Sequence, residues 1–195
     1  NVLDGTLKVN ATSGNKSYTV STAGTLEINH TSANSFITVN GSGTAATTGV
    51  YFKTGVTHAN GNTLTLQTAP TTVRAVGSGV ATLSGWDTNA THLTVAASAS
   101  GSVYDSAINI WPSTYGYVLN IAAGANTATG DMTIQGLFTG NVTTNGCNYR
   151  KTNTGSLVIT GQSSAQTTPW QVQNGSLILS GGANRIGTGA GVTLG

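Results

Sequence analysis

Short runs of alternating apolar and polar residues recur along the whole chain, separated by turns rich in Gly, Asn and Ser. Residues 5–10 read Gly-Thr-Leu-Lys-Val-Asn, and residues 24–29 repeat the same alternation 19 positions later. Alternation with a period of two predicts strands that bury one face. No window places apolar residues at helical spacing with charged residues between them, so we expect little or no α-helix.

The clearest repeat lies between residues 155 and 181, where one phrase occurs twice. Residues 155–161 read Gly-Ser-Leu-Val-Ile-Thr-Gly, and residues 175–181 read Gly-Ser-Leu-Ile-Leu-Ser-Gly, an offset of 20 positions. Such an offset predicts a solenoid, in which each repeat is one coil stacked on the last. Aligning the first central apolar residue of every phrase gives one series with gaps of 15 to 39 positions: Leu7, Leu26, Leu64, Leu93, Met132, Leu157, Leu177 and Val192. We take the gap of 38 positions between Leu26 and Leu64 as two periods of 19.

The pattern therefore predicts an all-β chain, folded as a parallel β-helix (β-solenoid) in one domain over residues 1–195. The stretch around residues 96–116 is the least regular part and is interpreted as an insertion or an interrupted coil. An antiparallel β-sandwich subunit is the alternative fold, because Asn-Gly pairs suit tight hairpins. Such pairs begin at Asn40, Asn60, Asn145 and Asn174.

Residues 117–195 resemble the autotransporter-associated β-strand repeat. The likeness lies in the order strand-Gly, Lys-x-x-x-Gly-strand-Gly and strand-Asn-Gly-strand, carried by residues 131–136, 150–161, 172–179 and 184–189. The resemblance implies a right-handed parallel β-helix that is exported and displayed outside the cell. It also implies a structural or adhesive role without catalytic residues.

Amino-acid composition argues against some classes of binding partner. Only 6% of the residues are charged, 37% are hydrophobic, and the net charge is +2 with its basic residues scattered. Without a basic run to follow a phosphate backbone, we expect no nucleic-acid partner. No apolar run approaches the length of a membrane span, so we expect no membrane insertion. The abundance of Thr, Ser, Asn and Gly is typical of surface or secreted proteins, and the single cysteine, Cys147, permits no intrachain disulfide.

Candidate ligand-binding residues concentrate where the pattern is least regular. Exposed aromatic rings stack on sugars or anchor a protein partner, and nearby acids would serve a glycan-cleaving site. The candidates are Trp86, Asp87, Tyr104, Asp105, Trp111 and Tyr115. The plainer interpretation is that these rings fill the core of an irregular coil and that Asp87, Asp105 and Asp131 are isolated turn residues.

The remaining reactive residue types give no site. His30, His58 and His92 are far apart and lack Cys or acidic neighbours at ligand spacing, so we expect no metal and no cofactor. Cys147 lies in an Asn-Gly turn and is interpreted as a bland thiol. No nucleophile or zinc motif is present, so we expect no enzyme.

Three functions follow, in order of preference. The first is a non-enzymatic extracellular structural or adhesive module, with surface glycans or host and cell-surface proteins as partners. The second is a filament subunit that joins copies of itself through its terminal strand edges. Those edges are predicted at Val2, Leu3, Leu7 and Val9 and at Val192 and Leu194. The third is a glycan-binding or glycan-cleaving β-helix.

Overall fold

The computed structural model describes residues 1–10, 16–30, 35–41, 47–60, 64–85, 91–112, 116–140, 148–163 and 166–195. These residues form strands and one 3₁₀ turn, Ala97–Ala99. Little or no α-helix is thus confirmed for the described residues. The strands are β1 (Val2–Val9), β2 (Lys16–Ile28), β3 (Ser35–Val39), β4 (Gly49–Lys53), β5 (Thr57–Asn60), β6 (Leu64–Leu66), β7 (Thr72–Val76), β8 (Ala81–Gly85), β9 (Leu93–Val95), β10 (Ser102–Tyr104), β11 (Ile108–Trp111), β12 (Tyr117–Ile121), β13 (Met132–Ile134), β14 (Tyr149–Thr152), β15 (Ser156–Ile159), β16 (Trp170–Val172), β17 (Ser176–Leu179) and β18 (Val192–Leu194).

The strands stack into three faces, and every pairing among them is parallel. β2 belongs to two faces, since residues 16–20 pair with β3 and residues 25–28 pair with β4. Face 1 runs from residues 16–20 through β3, β6, β9, β12, β14 and β16 to β18. Face 2 runs from β1 through residues 25–28, β4, β7, β10, β13 and β15 to β17. Face 3 contains β5, β8 and β11.

This arrangement confirms the parallel β-helix and rejects the antiparallel sandwich. Each of the first two faces holds a strand from successive coils, and strands of one sheet lie about 4.8 Å apart. The Asn-Gly pairs at Asn40 and Asn174 lie in turns that lead from one face to another rather than in hairpins. Asn60 ends β5, and the residues after it lie outside the described part. Asn145 also lies outside it.

The repeat of 20 positions is a true coil, because Leu157 pairs with Leu177 on face 2. The offset of 19 is likewise one coil, because Leu7 pairs with Leu26. The next step of the predicted series was wrong: Leu26 pairs with Val50, while Leu64 lies on face 1 between Ile37 and Leu93. The single series therefore mixed residues of two faces.

The uneven spacing between successive strand phrases comes from face 3. Coils that include a face 3 strand are long, as between Leu64 and Leu93, which pair 29 positions apart. Coils without one are short, as between Val172 and Leu194, which pair 22 positions apart. The described part of the 96–116 stretch contributes β10 to face 2 and β11 to face 3, as the preceding coils do with β7 and β8.

The core consists of columns of inward-facing residues, one from each coil. One column on face 2 contains Val73, Tyr104, Ile134 and Ile159, all of them fully buried. Burying such side chains is the main favourable contribution to the stability of the stack, at about 25 cal/mol per Å² of apolar surface.

Aromatic rings fill the core where face 3 ends. After β11, face 3 continues only as a bridge between Ile110 and Phe138 among the described residues. The ring centroid of Phe138 lies 4.9 Å from those of Tyr149 and Trp170, edge-on to both. Tyr149 and Trp170 pair in register on face 1 and stack with their centroids 4.9 Å apart. Large flat side chains thus occupy the space left as the coil narrows from three faces to two.

Close-packed glycines set the corner that follows face 2. A Cβ atom on Gly161 would lie 1.9 Å from the carbonyl oxygen of Gly136, and one on Gly136 would lie 1.7 Å from that of Ile108. No real contact is that short, so any side chain here would force neighbouring coils apart. Gly191, by contrast, has open space around its Cα.

We therefore expect Gly161→Ala to lower the free energy of unfolding by about 1–3 kcal/mol, because the added methyl group overpacks the corner. The matched change Gly191→Ala should alter it by less than about 0.5 kcal/mol. Urea denaturation followed by circular dichroism measures both. Equal effects of the two substitutions would contradict the close approach of the coils at this corner.

Candidate functional site

Of the predicted ligand-binding residues, the structure describes Tyr104, Asp105 and Trp111, and these three differ in burial. Tyr104 is fully buried in the core column of face 2, so a ligand on the surface does not reach it. Asp105 follows it and is half-buried, whereas Trp111 at the end of β11 is 39% exposed. Trp86, Asp87 and Tyr115 lie outside the described residues.

A row of charged and aromatic side chains crosses the outer surface of face 2. Lys8 pairs in register with Glu27, Glu27 with Tyr51, and Tyr51 with Arg74. The Lys8 ammonium lies 3.1 Å from the Glu27 carboxylate, and the Arg74 guanidinium lies 5.9 Å from the centre of the Tyr51 ring. The first contact is an ion pair and the second is a cation–π contact, and partly exposed contacts of these kinds contribute little to stability.

Asp105 continues this row on the next coil. Its backbone N–H donates to the Val73 carbonyl, which sets its carboxyl beside Arg74. Burial raises the pKa of Asp105, and N–H donors from Ala107 and Ala75 together with the charge of Arg74 partly offset that rise. A carboxyl with a raised pKa is a feature of general acids, so Asp105 is the acid in the row best suited to proton transfer.

An open depression of about 270 Å³ lies at the amino-terminal end of the row. Thr6, Lys8, Glu27, Tyr51 and Val76 contribute to its lining. It is therefore an open, shallow surface and not an enclosed cleft of the kind that removes a reacting group from water.

The outer surface of face 1 carries an uncharged ladder instead. Thr19, Thr38, Thr65 and Thr94 pair with one another in register, and Asn120 and Thr152 continue the line. Branched side chains in register suit a pleated surface, and neighbouring hydroxyls give modest cross-strand stabilisation. The described row on face 1 thus repeats one kind of chemistry from coil to coil, whereas the row on face 2 varies from coil to coil.

Asp131 is fully buried at the corner between faces 1 and 2. One carboxylate oxygen accepts hydrogen bonds from the Ser100 hydroxyl at 2.6 Å and the Gly124 N–H at 2.8 Å. The other accepts from the Ser156 N–H at 2.8 Å and its hydroxyl at 3.1 Å. Burial alone would raise the pKa of Asp131, but these donors outweigh it and the pKa is lowered. Asp131 therefore joins three successive coils as a carboxylate.

Lys151 is also fully buried, in a column that otherwise holds Leu119 and Val172. Its ammonium donates to the backbone carbonyls of Asn153 at 2.6 Å, Asn174 at 2.9 Å and Thr152 at 3.0 Å. Burial lowers the pKa of Lys151 from 10.5 to about 8, against the opposing attraction of Asp131. One side chain thus donates to three backbone carbonyls, that of Thr152 at the end of β14 and those of Asn153 and Asn174 in turns.

The described histidines also have structural contacts. The two ring nitrogens of His58 lie 3.1 and 3.0 Å from the carbonyl oxygens of His30 and Lys53, and burial lowers its pKa. His92 Nδ1 accepts a hydrogen bond from the Val118 N–H, and its ring stacks on Tyr117. Within the described part of the chain, no cluster of three or more His, Cys, Asp or Glu side chains is placed to bind a metal ion. No helix among those residues is long and apolar enough to span a bilayer.

The predicted assembly edges lie on the terminal coils. At one end, Leu7 is 42% exposed although it faces the core, Val9 is partly buried, Leu3 is exposed and Val2 is buried. At the other end, Val192 and Leu194 are exposed, and they continue the columns of Trp170 and Val172. The core columns are therefore open to a further coil at both ends.

Comparison with protein-family models, curated proteins and solved structures finds no match.

Sequence reasoning missed the roles of Asp131 and Lys151. Both residues stand inside the repeat phrases, where an acid or a lysine interrupts an otherwise uncharged pattern. The signal for Lys151 was its position in an apolar column, which becomes visible only after β12, β14 and β16 are aligned.

The buried Lys151 predicts an unusual pH dependence of stability. Below pH 8 the folded and unfolded chains both carry the proton. Between about pH 8 and 10.5 the unfolded chain holds it more tightly, so the free energy of unfolding rises with pH. We expect the free energy of unfolding of the wild type, minus that of Lys151→Met, to increase by about 1–2 kcal/mol from about pH 7 to pH 9.5.

Urea titrations of both proteins across this range provide the measurement. Staying below pH 10 avoids the buried tyrosines Tyr104 and Tyr149, whose pKa values burial raises and whose ionisation would act in the opposite direction. A difference that stays constant, or that shrinks as pH rises, would contradict a buried ammonium at this position.

Proposed function

We propose that this chain is a non-enzymatic β-solenoid module with a structural or adhesive role in a bacterial surface or secreted protein. The observation that carries the proposal is the unbroken stack of in-register columns on two faces, in which the buried charges Asp131 and Lys151 hold coils together. The repeat-like phrases of residues 117–195, the low charge and the Thr-rich outer ladder support a place outside the cell. Surface glycans or cell-surface proteins are the partner classes that fit, with Trp111 as the exposed ring.

The positions of Glu27, Asp105 and Asp131, all in the described part of the chain, argue against a glycan-cleaving function. Glu27 and Asp105 lie on the same outer row but three strands apart, a separation of about 14 Å. Hydrolysis by paired carboxyl groups needs them about 5–9.5 Å apart. Asp131 is enclosed by its own donors and faces no solvent. Asp105 is left without an acidic partner among the described residues of its row.

We therefore expect no release of reducing ends when the chain is incubated with a panel of acidic and neutral polysaccharides. The variants Asp105→Asn and Asp4→Asn form a matched pair, since Asp4 is exposed and lies outside the row. Turnover that is present in the wild type and in Asp4→Asn but lost in Asp105→Asn would overturn the non-enzymatic assignment.

End-to-end assembly of copies is a second candidate function, and the arrangement of strands in the two terminal coils favours it. The chain ends with β17 on face 2 and β18 on face 1, and it begins with β1 on face 2 and residues 16–20 on face 1. β1 of a second copy therefore fits on β17, and its residues 16–20 fit on β18. Leu7 lies in the core column that ends at Leu179, so Leu7 of the second copy would then continue that column. Such a head-to-tail contact does not close and generates a filament.

If the ends stack in this way, we expect filaments that grow longer as protein concentration rises. Leu7→Asp and Leu194→Asp should each abolish this growth, because a charge would enter a core column. Val80→Asp is the matched control, since Val80 has the same 42% exposure as Leu7 but lies on the side of the helix. Sedimentation velocity and electron microscopy measure the growth. Monodisperse particles at high concentration, or equal losses in all three variants, would count against assembly through the ends.

A further inference from the structure

The turn between β16 and β17 holds an Asn-Gly pair in a reactive arrangement. Asn174 and Gly175 are both exposed. The Gly175 N–H donates to the Asn174 side-chain carbonyl oxygen at 2.7 Å, which brings the amide nitrogen close to that carbonyl group. Gly175 has a φ of +73°, a conformation that other residues rarely adopt. Because glycine has no side chain, no Cβ of its own hinders the approach of its nitrogen to the neighbouring amide.

The same peptide group is contacted by a cation. Lys151 donates to the Asn174 backbone carbonyl oxygen at 2.9 Å, and this carbonyl shares its peptide bond with the Gly175 nitrogen. The positive charge beside the carbonyl oxygen withdraws electron density from the Gly175 nitrogen. It therefore stabilises the anion that forms when this nitrogen loses its proton. Hydrogen bonds from charged donors are the strong ones, and a buried donor acts without reorganisation.

We propose that Asn174 is a site of self-catalysed deamidation, in which the Lys151 ammonium activates the Gly175 backbone amide as the nucleophile. The Gly175 nitrogen bonds to Cγ of Asn174 and the Cγ–Nδ2 bond breaks. The proton lost by the Gly175 nitrogen leaves with the side-chain nitrogen as ammonia. The resulting cyclic imide is then opened by water at either carbonyl, which gives aspartate or isoaspartate.

The product would alter the stack locally. A new carboxylate would appear in the turn whose carbonyl the Lys151 ammonium contacts, and it would attract that ammonium. The isoaspartate form lengthens the backbone by one methylene. The ladder hydrogen bonds on either side, from Gln173 N–H to the Lys151 carbonyl at 2.9 Å and from Ser176 N–H to the Gly155 carbonyl at 3.2 Å, would then no longer fit together.

A second Asn-Gly pair provides an internal comparison. Asn40 is exposed and Gly41 is buried, with the position of a Gly41 Cβ only 2.4 Å from the Thr22 nitrogen. Within the described ranges, no lysine or arginine hydrogen-bonds to the Asn40 backbone carbonyl. Asn40 therefore has the same sequence motif without the feature proposed to activate Asn174.

The test follows deamidation of the whole folded chain at neutral pH by peptide mapping, which detects loss of ammonia with gain of water and separates aspartate from isoaspartate. We expect Asn174 to react about tenfold faster in the wild type than in Lys151→Met. We also expect it to react faster in the native chain than in the chain unfolded in urea. The rate at Asn174 relative to Asn40 should fall above about pH 8, as Lys151 loses its proton.

The comparison of native with unfolded chain decides the question even if Lys151→Met does not fold. A native rate at Asn174 equal to or below the unfolded rate would overturn the proposal, because the fold would then protect the site. A folded Lys151→Met variant that reacts as fast as the wild type would also overturn it.

Discussion

Parallel pairing in register is the constraint on which every other feature of this structure depends. Because each strand sits directly over its counterpart in the previous coil, a residue's neighbours are fixed by its column. An inward column is mostly apolar, as with Val73, Tyr104 and Ile134, and a polar residue there needs internal hydrogen-bond partners. Insertions are tolerated only between strands, where they lengthen the coil and leave the columns intact. The variable coil length and the constant strand phrase both follow from this requirement.

The strand phrase and its offset were predictable because alternation and flanking glycines are local properties of the chain. The division into faces was not, because strands on face 1 and face 2 share the same alternation and the same buried leucines. Leu26 and Leu64 look equivalent in the sequence, yet they occupy different faces. Face 3 was hidden as well, since it appears only as longer spacing between phrases. The concentration of aromatic residues was visible, but the place of Phe138 in the core depends on where face 3 ends.

Lys151 shows how the same constraint creates buried charge. At the turns between faces 1 and 2, the carbonyls of Thr152, Asn153 and Asn174 converge on one point. A lysine in an otherwise apolar column supplies three donors to them from one side chain, and leucine at this position would supply none. Burial of the Lys151 ammonium lowers its pKa to about 8. Asp131 meets the complementary need at the same corner by accepting from two hydroxyls and two N–H groups.

The outward-facing rows of faces 1 and 2 bear on what the protein can do. A ladder repeats its chemistry at each coil, so two side chains act on one bond only when neighbouring coils both carry reactive groups. Here the row on face 2 pairs Lys8 with Glu27, and further along it holds Arg74 and Asp105 on successive coils. The row on face 1 offers the threonine hydroxyls of Thr19, Thr38, Thr65 and Thr94. An extended, repetitive and largely uncharged surface suits many weak contacts along a partner or a further coil.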